Sequence, residues 1–145
     1  MFHQFEEYVF PGGFQNFFIE EILNKSLKIK IQLSNSGILI VNVLFGWTFY
    51  IISAVIAESA LWFSAGIVAI TIINGVLHSA AALVKRKYNP GLITGIVFFI
   101  PLGVYFFYNI RSDLNFIFIL KGAAIAITGC LIIPSMVYLT GRERL

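Results

Sequence analysis

The chain alternates long apolar runs with short polar punctuation. Ile31 to Ala57 carries no charged residue and is closed by Glu58 and Ser59. Leu61 to Val84 is the next such run, ended by Lys85-Arg86-Lys87. Gly91 to Ile110 follows Asn89-Pro90 and stops at Arg111-Ser112-Asp113, and Leu114 to Leu139 is interrupted only by Lys121. A helix crossing about 30 Å of hydrocarbon needs roughly 20 apolar residues. The pattern therefore predicts an all-α, polytopic transmembrane bundle with four spans, over 37–57, 61–84, 91–110 and 114–139. Residues 1–36 do not fit a span. Pro11-Gly12-Gly13 divides them, and 14–24 gathers Phe14, Phe17, Phe18, Ile19, Ile22 and Leu23 on one helical side, as an interfacial helix does. Lys28 to Leu33 alternates polar and apolar residues, which predicts an extended connector. Two regions result: an N-terminal interfacial segment, 1–36, and a four-helix transmembrane domain, 37–145.

Composition strengthens this picture. The chain is 59% hydrophobic and 12% charged, with a mean hydropathy of +0.88. A soluble domain carries about 25% charged residues, so this chain lacks the charge to cover a water-facing globule. An ordinary soluble enzyme, a disordered tail and a disulfide scaffold are excluded, the last because Cys130 stands alone. The net charge of +3 matters through its placement, and no nucleic-acid partner is expected. Lys25, Lys28, Lys30, Lys85, Arg86, Lys87, Arg142 and Arg144 fall on one side of the predicted spans, against Arg111 on the other. The positive-inside rule then places the N-terminal segment, the 85–90 loop and the C-terminus in the cytoplasm, as in a multi-pass protein of the cell membrane. With two glutamates by position 7 and no basic stretch before them, no cleavable signal peptide is expected.

Several features read as packing. Gly91 and Gly95 form a GxxxG pair, and Gly122, Ala126 and Cys130 place a small residue every four positions. Pro101 and Pro134 should bend their helices. Lys121 lies about two turns inside the fourth span, where its ammonium either snorkels to the interface or pairs with Asp113 or Glu58.

Ionisable and amide groups in or beside spans are costly unless paired, so they are where function is sought. In a helix, His3 lies on one face with Glu6 at i+3 and Glu7 at i+4. That spacing suits one divalent metal, or a base and its orienting partner. The plainer reading is a solvated terminus. Asn74 and His78 lie one turn apart in the second span, where they are either interhelical hydrogen-bonding glue or part of a site. The chain has two histidines, and the topology brings both to one membrane face. Convergence of His3, Glu6, Glu7 and His78 would suit zinc, iron or manganese, with Asn74 and the glutamates in catalytic roles.

His3-Gln4-Phe5-Glu6-Glu7, then Pro11-Gly12-Gly13-Phe14, Asn74-x-x-x-His78, Tyr88-Asn89-Pro90-Gly91 and Thr94 resemble the HXXEE-motif family, small integral membrane proteins of uncharacterised function. The resemblance implies a site at His3, Glu6, Glu7, Asn74 and His78. It also implies a hydrophobic segment ahead of the histidine, where only Met1 and Phe2 stand here. The reading expected is a metal-dependent membrane enzyme, with hydrolase-type chemistry on a lipid or other hydrophobic substrate at the cytoplasmic leaflet. The alternative is a non-catalytic transporter or a packing subunit.

Overall fold

The computed structural model describes residues 1–27, 31–32, 40–140 and 142–143. Six helical elements follow in order. Helix α1 is Phe2–Tyr8; α2 is Phe14–Phe17 and runs on through Phe18–Leu27 in wider, five-residue turns. Helix α3 joins Ile40–Trp47 to Thr48–Val55, and α4 is Leu61–Lys85. Helix α5 covers Leu92–Asn109 and α6 Phe116–Thr140. The other regular structure described is a two-residue antiparallel pairing of Ile31–Gln32 with Arg142–Glu143. Most of the connector expected over Lys28 to Leu33 lies outside the described residues.

Among the described residues, three helices are long and apolar enough to cross a membrane: α4, α5 and the Phe116–Ile133 part of α6. The sequence led us to expect four. The expected first span, 37–57, contains only α3, two consecutive eight-residue segments, with 37–39 outside the described residues. At 1.5 Å per residue the described part of α3 spans about 24 Å, short of the hydrocarbon thickness. The described helix ends at Val55, close to the expected end of the span, and the chain turns there: the Ser59 and Ala60 amides donate to the Ile56 carbonyl.

Small residues set the helix crossings, since lipid gives no hydrophobic drive for helices to associate. A Cβ on Gly66 of α4 would stand 2.6 Å from Ile125 Cβ and 2.8 Å from the Gly122 carbonyl of α6. One on Gly75 would stand 3.0 Å from the Gly95 carbonyl of α5. Gly95 and Gly122 thus pack as expected, whereas Gly91 does not join a helix crossing. Wide turns over Gly95–Phe99 precede Pro101, which has no amide proton to give the preceding turn. Helix α6 continues through Pro134. Lys121 holds its ammonium 5.5 Å from the Trp62 ring centroid, and neither expected carboxylate partner is bonded to it.

The molecule is inverted relative to a soluble fold. Its buried residues include His3, Glu6, Glu7, His78, Asn89 and Thr94, while Leu, Ile, Val and Phe cover the outside of α4, α5 and α6. Helix α1 lays its His3/Glu6/Glu7 face on the start of α5 and exposes Phe2 and Phe5. A polar latch ties α1 to α3. Trp47 Nε1 donates to Gln4 Oε1 (2.7 Å), Gln4 Nε2 to the Asn42 carbonyl (2.9 Å), and Asn42 Nδ2 to the Tyr8 hydroxyl (2.9 Å). Helix α2 is tied down by Glu21, which accepts from Lys87 of the α4–α5 loop at 2.9 Å and from Lys25 at 2.8 Å.

Candidate metal centre

Three elements deliver the site. Helix α1 supplies His3 and Glu7, one turn apart on its inner face, with Glu6 beside them. Helix α4 supplies His78, about 10 Å before its last residue. The loop and first turn of α5 supply Tyr88, Asn89, Gly91 and Thr94. His3, Glu7 and His78 are each about 95% buried. Their donor atoms lie within 4.8 Å of one another, so the cluster could hold a metal ion. His3 Nε2 is 3.4 Å from Glu7 Oε1, and His78 Nε2 is 3.3 Å from the same oxygen.

Glu6 is differently placed. Oε1 accepts from the Tyr88 hydroxyl (2.6 Å) and the Ile93 amide (3.0 Å); Oε2 accepts from the Thr94 amide (2.8 Å) and hydroxyl (2.5 Å). The amides belong to the first turn of α5, whose N–H groups have no partner within the helix and favour an anion. Burial alone would push the Glu6 carboxyl up, but these four hydrogen bonds outweigh it and hold it at about 2. The same contact, with burial, pushes the Tyr88 hydroxyl up, so it remains a donor.

This network fixes both imidazole tautomers. The Thr94 hydroxyl gives its single proton to Glu6, so it accepts from His3 Nδ1 at 2.7 Å. Asn89 donates Nδ2 to the His78 carbonyl (2.7 Å), which turns Oδ1 toward His78 Nδ1 at 2.6 Å. Both Nδ1 atoms therefore carry protons, and both rings turn Nε2 toward Glu7. Among the described residues His3 Nε2 has no hydrogen-bond partner. Three lone-pair donors facing one another in a buried space repel unless a cation lies between them.

Ligands about 2.0–2.1 Å from a tetrahedral zinc stand about 3.3–3.4 Å apart, which is the separation found on both edges that meet at Glu7. Charge agrees: Glu6 and Glu7 contribute two negative charges, and a divalent ion would neutralise them.

Gly91 sets the clearance. Its φ of +99° is a conformation that side chains rarely adopt, and a Cβ there would stand 2.5 Å from His78 Cε1 and 2.8 Å from His3 Cε1. The backbone fills the space beneath the two rings.

The structure thus brings together His3, Glu6, Glu7 and His78 from the expected set. Asn74 is half-buried on α4, and the amide that hydrogen-bonds His78 is Asn89. Tyr88, Asn89 and Thr94 had drawn notice only as members of the motif series. Spacing offers no hint that residues 91 and 88 positions beyond His3 and Glu6 bond to them.

A family model described as a protein of unknown function with HXXEE motif matches residues 1–106. No curated protein and no solved structure matches the chain.

Proposed function

From the premise that the chain belongs to the HXXEE-motif family, we propose that it is a metal-dependent integral membrane hydrolase acting on a lipid-type substrate at the cytoplasmic leaflet. The observation that carries the reading is the convergence of His3 Nε2, His78 Nε2 and Glu7 Oε1 within 4.8 Å, with both histidine–glutamate separations near a tetrahedral edge and both Nδ1 atoms hydrogen-bonded elsewhere. Two histidines and a glutamate form a ligand set used by catalytic zinc, which keeps a further position for water or substrate. Zinc, iron and manganese all suit these donors. When bound by His3, Glu7 and His78, such an ion would supply Lewis acidity and acidify a water.

The remaining residues orient and exclude. Thr94 relays Glu6 to His3, and Asn89 holds His78, so each ring is locked in the tautomer that offers Nε2; such supporting contacts are worth about 10–100-fold in metal affinity. Glu6, with four hydrogen bonds, is a charge-balancing and orienting group in this scheme, leaving Glu7 as the ligand. Phe99, 4.3 Å from His3 between ring centroids, and Phe14, 5.2 Å from His78, shield the rings. The basic 85–87 stretch at the end of α4 supports the cytoplasmic assignment.

The test is elemental analysis of the detergent-purified protein with zinc, iron and manganese supplied. One equivalent of metal is expected in the wild type and in Asn74→Ala, with a loss of at least 100-fold in affinity in His78→Ala. A wild type that binds none of the three, or a His78→Ala variant that binds as well, overturns the proposal.

A further inference from the structure

Beside the metal centre, an open cleft of about 480 Å³ runs between the last turns of α4 and the start of α5. Its walls are apolar, made by Ala82, Leu83, Leu92 and Ile96, and Arg86 and Lys87 stand at its mouth. Lys87 is already paired with Glu21. Arg86 is exposed and has no hydrogen bond or ion pair among the described residues. It occupies the residue that ends α4 with φ +51°, a left-handed position usually given to glycine. An unpaired guanidinium thus stands where backbone ease favours a residue without a side chain.

We propose that this cleft seats an anionic phospholipid, with one acyl chain along Ala82, Leu83, Leu92 and Ile96 and the phosphate on Arg86. Three observations support this occupant. The cleft lies where two membrane-length helices end and begin, which is headgroup depth. Its apolar floor and cationic mouth match a molecule with a hydrocarbon tail and a negative head. The exit end of α4 carries about half a negative charge, which the full charge of Arg86 outweighs. A guanidinium also takes a phosphate in a bidentate grip. The ring of Tyr88 lines the cleft while its hydroxyl donates to Glu6, so the bound lipid lies against the wall of the metal centre. The binding itself requires no metal, and the test keeps the two proposals separate.

The experiment is native mass spectrometry of the full chain in detergent, stripped of metal with EDTA, with dioleoyl phosphatidylglycerol, dioleoyl phosphatidylcholine or inorganic phosphate added. The wild type should retain phosphatidylglycerol over phosphatidylcholine by about five-fold or more, the share expected of one surface arginine. Inorganic phosphate should neither bind nor compete. Arg86→Asn should abolish the preference, since asparagine tolerates the left-handed backbone and only the charge is lost. Ala82→Phe, which fills the cleft, should reduce retention of both lipids. Arg111→Gln, at the far end of α5, should leave everything unchanged. Equal retention of the two lipids by the wild type, an unaltered preference in Arg86→Asn, or displacement of the lipid by inorganic phosphate overturns the proposal. None of these results bears on metal content.

Discussion

Gly91→Ala tests whether the backbone beneath the two histidines sets the metal centre. The added Cβ would stand 2.5 Å from His78 Cε1, 2.8 Å from His78 Nδ1 and 2.8 Å from His3 Cε1, against ordinary contact at 3.4–4 Å. Restoring contact requires the His78 ring to move by about 0.9 Å, whereas metal–ligand distances tolerate only about 0.2 Å. The same movement strains the 2.6 Å bond from His78 to Asn89. We expect zinc affinity, read by competition with a chelator of known affinity, to fall by at least the 10–100-fold typical of disturbed supporting contacts. The backbone adds its own cost of about 1–3 kcal/mol for a side chain at positive φ. Gly13→Ala separates the two effects, because Gly13 has φ +86° and nothing within 4 Å of a built Cβ. It should lower thermal stability in detergent by a comparable amount and leave zinc affinity alone. If Gly91→Ala binds zinc as tightly as the wild type, or if Gly13→Ala weakens it equally, the clearance argument is wrong.

Other substitutions probe the network. Thr94→Val keeps the shape but removes the hydroxyl that accepts from His3 and donates to Glu6. It should cost about 10–100-fold in metal affinity and let His3 change tautomer, visible in the ¹⁵N shifts of its imidazole; unchanged shifts would refute the relay. Asn89→Ala should weaken metal binding over a similar range while Asn74→Ala leaves it intact, and the reverse order would return the orienting role to Asn74. Lys25 and Lys87 hold the Glu21 carboxyl at about 2, below its ordinary 4.5. Because this value is depressed in the folded state, the tie to α2 is present above about pH 4.5 and is lost as pH falls toward 2. Hydrogen exchange over residues 14–27, corrected for intrinsic rate, should accelerate across that window in the wild type and show no such step in Glu21→Gln.

The legible parts of this protein are those encoded in local pattern. Charge-free runs marked α4, α5 and α6, because a single helix must satisfy its own backbone in lipid whatever its neighbours do. Over 37–57 the described residues form a sixteen-residue helix rather than a full span, because absence of charge does not set helix length. The i, i+4 spacing of His3 and Glu7 survived into the structure because a helix alone enforces it. The choice of Asn89 over Asn74 as the partner of His78 could not be read, since a one-turn spacing on α4 looked better than an amide on a loop. Gly91 looked like half of a packing motif, and only its position under both imidazoles shows what it does.

The sequence by itself determined that the chain carries long runs apolar enough to cross a membrane, which residues are polar enough to matter, and that both histidines fall at one end of those runs. Tertiary structure alone decided which lone pairs meet. Composition and periodicity act within one element, where geometry repeats every few residues. The metal centre depends on α1, α4 and the start of α5 meeting within a few ångströms, and on hydrogen bonds spanning 82 to 91 residues that turn both Nε2 atoms inward. That arrangement follows from the close backbone approach of Gly75 to Gly95, of which the sequence pattern marked only Gly95, and from Glu6 bound to the first turn of α5, which no spacing marks.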